Sequence, residues 1–171
     1  TSGLNMPSFS DIDNDEDNDL FVTVLSGAYG YQLVNNFIFY ENQQNDFIYQ
    51  TSNFIESIDM LSDVSPTFCD IDLDGDADLF VGTDFDPSSM PWAGNIKMFE
   101  NIGYDEQGEP IWTFVNNNLL NTNEGYNISP TFADMDYDGD FDILTGNFNG
   151  TLNYYENTGD VFVHSFEYVE E

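Results

Sequence analysis

An alternating acidic pattern of nine residues occurs three times in this 171-residue chain, each time directly before a short apolar run. The clearest copy is Asp70-Ile71-Asp72-Leu73-Asp74-Gly75-Asp76-Ala77-Asp78, followed by Leu79-Phe80-Val81. A second is Asp134-Met135-Asp136-Tyr137-Asp138-Gly139-Asp140-Phe141-Asp142, and a third is Asp11-Ile12-Asp13-Asn14-Asp15-Glu16-Asp17-Asn18-Asp19. At least five carboxylates in nine residues repel one another across a tight turn. A solvated acidic turn leaves that repulsion unopposed, whereas a hard cation, which takes oxygen ligands from flexible carboxylate and carbonyl groups, removes it.

Aligning the copies exposes an internal repeat, the feature that most restricts the fold. A proline stands four residues before each first aspartate, in Pro7-Ser8-Phe9-Ser10, Pro66-Thr67-Phe68-Cys69 and Pro130-Thr131-Phe132-Ala133. After each acidic stretch come Leu20-Phe21-Val22, Leu79-Phe80-Val81 or Ile143-Leu144-Thr145, runs that suit strands covered on both faces. An aromatic-Glu-Asn segment follows, ending at Asn42, Asn101 and Asn157. Each unit closes on an aromatic and β-branched stretch: Phe47-Ile48-Tyr49, Ile111 to Val115, or Val161-Phe162-Val163. The reading is four short strands per unit, A to D, without a helical period. Tandem four-stranded units are the sequence pattern of propeller blades. The expected fold is therefore all-β, a single β-propeller segment over 1–171 with blades at about 7–51, 66–116 and 130–169, and an incomplete ring.

The acidic turn joins strands A and B. An EF-hand shares its opening but needs a glutamate at position twelve between two helices. Position twelve here is Val22, Val81 or Thr145, so coordination must finish within nine residues. The expected ligands of the second copy are the side chains of Asp70, Asp72, Asp74 and Asp78, with the carbonyl of Asp76. In the third they are Asp134, Asp136, Asp138 and Asp142, with the carbonyl of Asp140. Asp11, Asp13, Asp15, Asp17 and Asp19 form the first set, where Glu16 replaces the glycine that would permit a positive φ. Calcium, up to three ions with the first site weakest, fits better than magnesium, which demands a strict octahedron and keeps its waters. The role expected of the metal is structural.

Composition supports this reading. The formal charge is −32 with one basic side chain, Lys97, and 16 of the 33 acidic residues lie in the three turns. Three divalent ions would add six positive charges and leave −26, which excludes nucleic acid and anionic membrane surfaces as partners. Sixteen Phe and ten Tyr supply a core that an acidic disordered tail lacks. Cys69 is the single cysteine, so no internal disulfide forms, and its alignment with Ser10 and Ala133 reads as a small packed residue. No membrane-length apolar run or signal peptide is present, and the start at Thr1 reads as a mature or excised segment.

These residues, DxDxDGxxD with the apolar strand and the aromatic-Glu-Asn segment after it, resemble the FG-GAP or VCBS repeats of integrin-like propellers and bacterial secreted proteins. The resemblance runs from Pro7 to about Val169. It implies a β-propeller with calcium in the A-to-B turns, and the weak calcium affinity typical of extracellular modules, about 10⁻⁴ to 10⁻³ M, makes an extracellular, secreted or cell-surface location the expectation. Such rings commonly hold about seven blades, so three imply either a segment of a larger protein or self-assembly through open edges into a ring or filament.

Two functions remain open. The first is a non-catalytic module for adhesion or for binding a glycan or protein. Its expected ligand face lies opposite the metal turns, where Tyr29, Tyr31, Phe85, Trp92 and Tyr126 fall in the B-to-C and D-to-A loops; inter-blade packing is the competing role for each. The second is a polysaccharide lyase, to which some proteins with these repeats belong. A lyase needs a base and a charge-neutralising cation, and the chain offers His164, Lys97 and no arginine. His164 falls in an expected D strand, which favours a structural role.

Overall fold

The computed structural model describes residues 6–23, 37–51, 64–84, 93–106, 108–121, 125–160 and 162–170. Twelve strands form three four-stranded antiparallel sheets, and no helix occurs among the described residues. The first sheet takes β1 (Met6–Ser10), β2 (Asp19–Thr23), β3 (Phe37–Gln43) and β4 (Asp46–Thr51) in chain order. The second takes β5 (Ser65–Cys69), β6 (Asp78–Gly82), β7 (Ile96–Tyr104) and β8 (Pro110–Asn116). The third takes β9 (Ser129–Ala133), β10 (Asp142–Gly146), β11 (Leu152–Asn157) and β12 (Phe166–Val169).

The register repeats from sheet to sheet. Ser10 pairs with Asp19, Cys69 with Asp78 and Ala133 with Asp142, so every acidic stretch is the turn between the first two strands of its sheet. The repeated prolines sit in β1, β5 and β9, each an edge strand, where a missing N–H breaks no internal ladder. β5 lies against β1 on one side and β9 on the other, so the three sheets follow one another through their first strands.

Two cores separate the sheets, and the alternation along β6 divides its side chains between them. Leu79 and Val81 join Ile12, Phe21, Phe39 and Val64 between the first and second sheets. Phe80 points the other way, to Ile71, Ile96, Met98, Ile128 and Ile143 between the second and third. A ring pair spans each core: Phe21 with Phe68 at 4.6 Å and Phe80 with Phe132 at 4.3 Å. Phe21 and Phe80, fully buried, contribute about 1.5–3 kcal/mol each, with the partly buried Phe68 and Phe132 adding to the contact between the sheets.

Two sequence expectations need correction. Burial on both faces holds for β6 but not for β2 or β10, where Leu20, Val22 and Leu144 are only half-buried. These are the faces of the end sheets that point away from the middle one. The last strand of the third unit is Phe166–Val169 rather than 161–163. The Asn157 carboxamide oxygen accepts the N–H groups of Gly159 and Ser165, while the Asp160 carboxylate accepts those of Phe162 and Val163. These bonds fold Phe162 and Val163 into the turn, with an isolated bridge between Asp160 and Val163, and delay the strand. His164 consequently precedes β12 instead of lying within it.

Candidate metal centre

Each acidic turn winds through two residues of positive φ. The first is Asn14 (61°), Leu73 (57°) or Tyr137 (68°); the second is Glu16 (74°), Gly75 (102°) or Gly139 (100°). Only the second position carries glycine, in two of the three copies. Glu16 nevertheless adopts the backbone shape that the glycines adopt, so the first turn keeps its form at the expense of side-chain strain.

The windings are pinned by the aspartates themselves. Asp11 accepts the N–H groups of Asp15 at 3.1 Å and Glu16 at 3.0 Å, and Asp70 accepts that of Gly75 at 3.1 Å. Asp134 accepts that of Tyr137 at 2.7 Å. The fifth-position carboxylates hold the backbone two residues on, in Asp17, Asp76 and Asp140.

This winding brings the first, third and fifth carboxylates together. Asp11, Asp13 and Asp15 converge with one oxygen each inside 4.8 Å, as do Asp70, Asp72 and Asp74, and Asp134, Asp136 and Asp138. Each turn also holds one buried carboxylate oxygen without a hydrogen-bond partner, on Asp13, Asp70 and Asp140 respectively. A buried carboxylate oxygen with no donor is costly unless a cation meets it. Burial, with neighbouring carboxylates adding to it, pushes Asp13, Asp70 and Asp140 above the usual carboxylate range. The donor set is all oxygen, so these three triads could hold a hard metal ion.

The ninth position has a different environment. Asp19, Asp78 and Asp142 are each 1% exposed and are not among the three carboxylates that converge. One oxygen of each accepts the N–H of the second turn residue: Ile12 at 3.2 Å, Ile71 at 3.3 Å and Met135 at 2.9 Å. The other accepts an N–H from the third strand: Asn42 at 2.8 Å, Asn101 at 2.9 Å and Asn157 at 2.9 Å. The ninth carboxylate thus ties the acidic turn to the third strand of its own sheet. Burial pushes Asp19 up to about 6 and Asp78 up to about 7, in spite of the backbone donors that oppose the shift.

Those asparagines close the motif Glu-Asn, whose purpose the sequence alone does not reveal. Their carboxamide oxygens hold the next turn: Asn42 accepts the N–H of Asn45, Asn101 that of Gly103 and Asn157 that of Gly159. The seventh-position residues differ among copies. Asp140 is buried, whereas Asp17 and Asp76 are half-buried, and Asp76 accepts the carboxamide N–H of Asn14 from the first turn at 3.3 Å.

At the other end of the strands the expected ligand face is only partly described. Tyr29, Tyr31, Phe85 and Trp92 lie outside the described residues. Tyr126 is exposed, and its carbonyl accepts the N–H of Phe148 at 2.8 Å. Phe148, 73% exposed in the turn after β10, adds a second ring that the sequence reading passed over. An aromatic in the shortest B-to-C loop was the available signal.

His164 lines a cavity of about 530 Å³ between the second and third sheets, with Asp72, Met98, Glu100 and Phe166 among its walls. Its ring stacks on Phe166 at 6.2 Å, and burial lowers its pKa. Lys97 is buried at 5% exposure and donates to the Asn117 side chain, so it is not placed as a surface cation. No helix among the described residues is long and apolar enough to cross a membrane. Comparison with family models, curated proteins and solved structures found no match.

Proposed function

We propose that the chain is a calcium-stabilised β-propeller segment, related to the FG-GAP or VCBS repeats, that serves outside the cell as a non-catalytic module for adhesion or for recognition of a glycan or protein. The observation that carries the calcium reading is the repeated triad: in each of the three turns, three carboxylates converge and one buried oxygen lacks a donor. Oxygen-only sets on flexible loops are the donors calcium takes, and three such ions offset part of the −32 charge. The blade reading draws on three sheets of identical strand order that follow one another through their first strands.

The extracellular assignment follows from the calcium reading and the family resemblance: extracellular modules bind calcium at about 10⁻⁴ to 10⁻³ M, a level external fluids supply. Recognition is assigned to the end of the sheets opposite the acidic turns, where Tyr126 and Phe148 are both exposed and their backbones are hydrogen-bonded. The lyase alternative is disfavoured by the lack of arginine and the burial of Lys97, which leave no described cation to neutralise a uronate.

The test is a calcium titration followed by calorimetry and thermal melting. Three binding events and a melting temperature that drops sharply in chelator are expected. A melt that chelator leaves unchanged refutes structural calcium, and magnesium matching calcium at equal concentration refutes the choice of ion. A glycan and protein array read with the chain and with its Tyr126→Ala, Phe148→Ala double variant tests the recognition face.

A further inference from the structure

The third acidic turn departs from the other two at its seventh and ninth positions, and the two departures fit each other. At the ninth position, the carboxylate oxygen bonded to the turn is Oδ2. Asp19 Oδ2 accepts one N–H, from Ile12, and Asp78 Oδ2 accepts one, from Ile71. Asp142 Oδ2 accepts two donors, the N–H of Met135 at 2.9 Å and the hydroxyl of Tyr154 at 3.0 Å. A carboxylate oxygen offers roughly two lone pairs, so Asp142 Oδ2 has none left for an ion, whereas its counterparts keep one. The extra donor belongs to the third unit alone. Tyr154 pairs with Leu144, and the residues in the same register place are Phe39, opposite Phe21, and Met98, opposite Phe80. Neither carries a hydroxyl.

The seventh position changes in the opposite sense. In the first two turns the buried oxygen without a donor lies on a member of the converging triad, Asp13 or Asp70, where a cation in the triad would meet it. In the third turn it is Oδ1 of Asp140, outside the triad of Asp134, Asp136 and Asp138. Asp140 is 6% exposed, although Met135 and Tyr137 of the same turn stand out at 52% and 90%. Burial pushes its pKa up, and the charges that add to this are those of Asp138, Asp142, Asp136 and Asp134, all from its own turn. The seventh residues of the other turns are half-buried, and Asp76 reaches instead to the first turn, where it accepts the carboxamide N–H of Asn14. A carboxylate buried among its like without a donor is held at a cost that a cation removes.

We infer that the third turn exchanges one ligand for another: the Asp140 side chain meets the cation there, in the place that the ninth carboxylate takes in the first two turns, while Asp142 serves to anchor the turn to β11. The seventh residue is otherwise expected to offer its carbonyl alone. This inference rests on the calcium reading proposed above and adds a side chain that sets the third site apart.

Calorimetric titration of the whole chain with calcium, read beside thermal melts in calcium and in chelator, tests it. Asp140→Asn keeps the shape of the side chain and removes its charge. It is expected to weaken one of the three binding events by about tenfold or more, the same event that Asp138→Asn weakens. Asp76→Asn removes a charge from the same place in the second turn and should weaken its site by a much smaller factor. Adding Tyr154→Phe to the Asp140 variant frees Asp142 Oδ2 and should restore part of the lost affinity. In chelator Asp140→Asn should melt at or above the wild type, because an unpaired buried charge is gone; in calcium it should melt below. An Asp140 variant that binds calcium as the wild type does, or an Asp76 variant that loses as much, overturns the inference. So does a chelated Asp140 variant that melts well below the wild type, the mark of a side chain held for structure alone. Failure of Tyr154→Phe to restore any affinity overturns the exchange with Asp142. A wild type that binds no calcium sinks the calcium reading and this inference with it, whereas three wild-type events beside an unchanged Asp140 variant sink the exchange alone.

Discussion

The Asp78 carboxylate accepts the backbone N–H of Asn101 at 2.9 Å and that of Ile71 at 3.3 Å, so one buried side chain joins the acidic turn to the third strand. Removing it leaves two buried donors without a partner, at about 1–3 kcal/mol each. Asp78→Ala is therefore expected to lower stability by about 2–6 kcal/mol even in chelator. Asp74 is exposed and holds only the turn's own Asp76 N–H, so Asp74→Ala should change the metal-free chain by less than about 1 kcal/mol while weakening calcium binding. Urea denaturation with and without chelator separates the two roles. Equal losses in chelator would remove the distinction between the ninth carboxylate and the triad.

This division marks how far the sequence could be read. Alternation of aspartates announced the turns, and the proline-to-aspartate spacing announced the edge strands, because both follow from side-chain types at fixed intervals. The ninth aspartate shares that alternation and is expected as a ligand; its bonds to the amides of Asn101 and Ile71 are a further role, which the sequence hides because a backbone amide leaves no mark on it. Asn42, Asn101 and Asn157 were visible as a repeated motif without a visible partner. The shift of the last strand from Val161 to Phe166 depended on the turn that Asn157 and Asp160 tie, which the β-branched run at 161–163 concealed. Burial at Leu144 could not be read from apolarity, because the same residue pattern is covered at Phe80 only by virtue of a neighbouring sheet.

Protonation supplies a second prediction. Burial raises the folded-state pKa of Asp19 to about 6 and of Asp78 to about 7, above the ordinary value near 3.8 that each regains on unfolding. Between those values the folded chain holds more protons than the unfolded one, so stability falls as pH rises through the window from about 4 to about 7. In chelator the melting temperature should climb as the pH is lowered from 7.5 towards 5. With saturating calcium the slope should reverse, because protons then compete with the metal for the turn carboxylates. A chelated chain whose melting temperature drops on mild acidification would contradict the burial of these two groups.

Backbone strain at the first turn gives a third. Glu16 holds φ at 74°, where its structural counterparts are Gly75 and Gly139. A left-handed non-glycine residue costs about 1–2 kcal/mol, partly offset by the greater chain entropy glycine loses on folding. Glu16→Gly is expected to stabilise the metal-free chain by about 0.5–1 kcal/mol, and it also removes one charge from the crowded turn. Thermal melts of the two proteins in chelator check it. A destabilised variant would mean that the Glu16 side chain makes a contact worth more than the strain.

Cys69 offers a probe of whether a cation in the acidic turns helps to hold the sheets together. Its thiol lies in the core between the second and third sheets, one residue before Asp70, and burial, with the Asp78 and Asp70 charges adding to it, pushes its pKa up to about 12. The thiolate is the reactive form, so alkylation must wait for an opening that exposes and ionises the group. Because Asp70 begins the second triad, loss of calcium should loosen the turn that seals this core and raise the population of such openings. In calcium, labelling by a thiol reagent is expected to be slow and to follow the free energy of opening; in chelator it should accelerate in step with the lost stability. Asp78→Ala should speed labelling in both conditions, whereas Asp74→Ala should do so only where calcium had been protective. Rapid labelling in saturating calcium would show that the core between the second and third sheets is open on its own, and that the cation does not seal it.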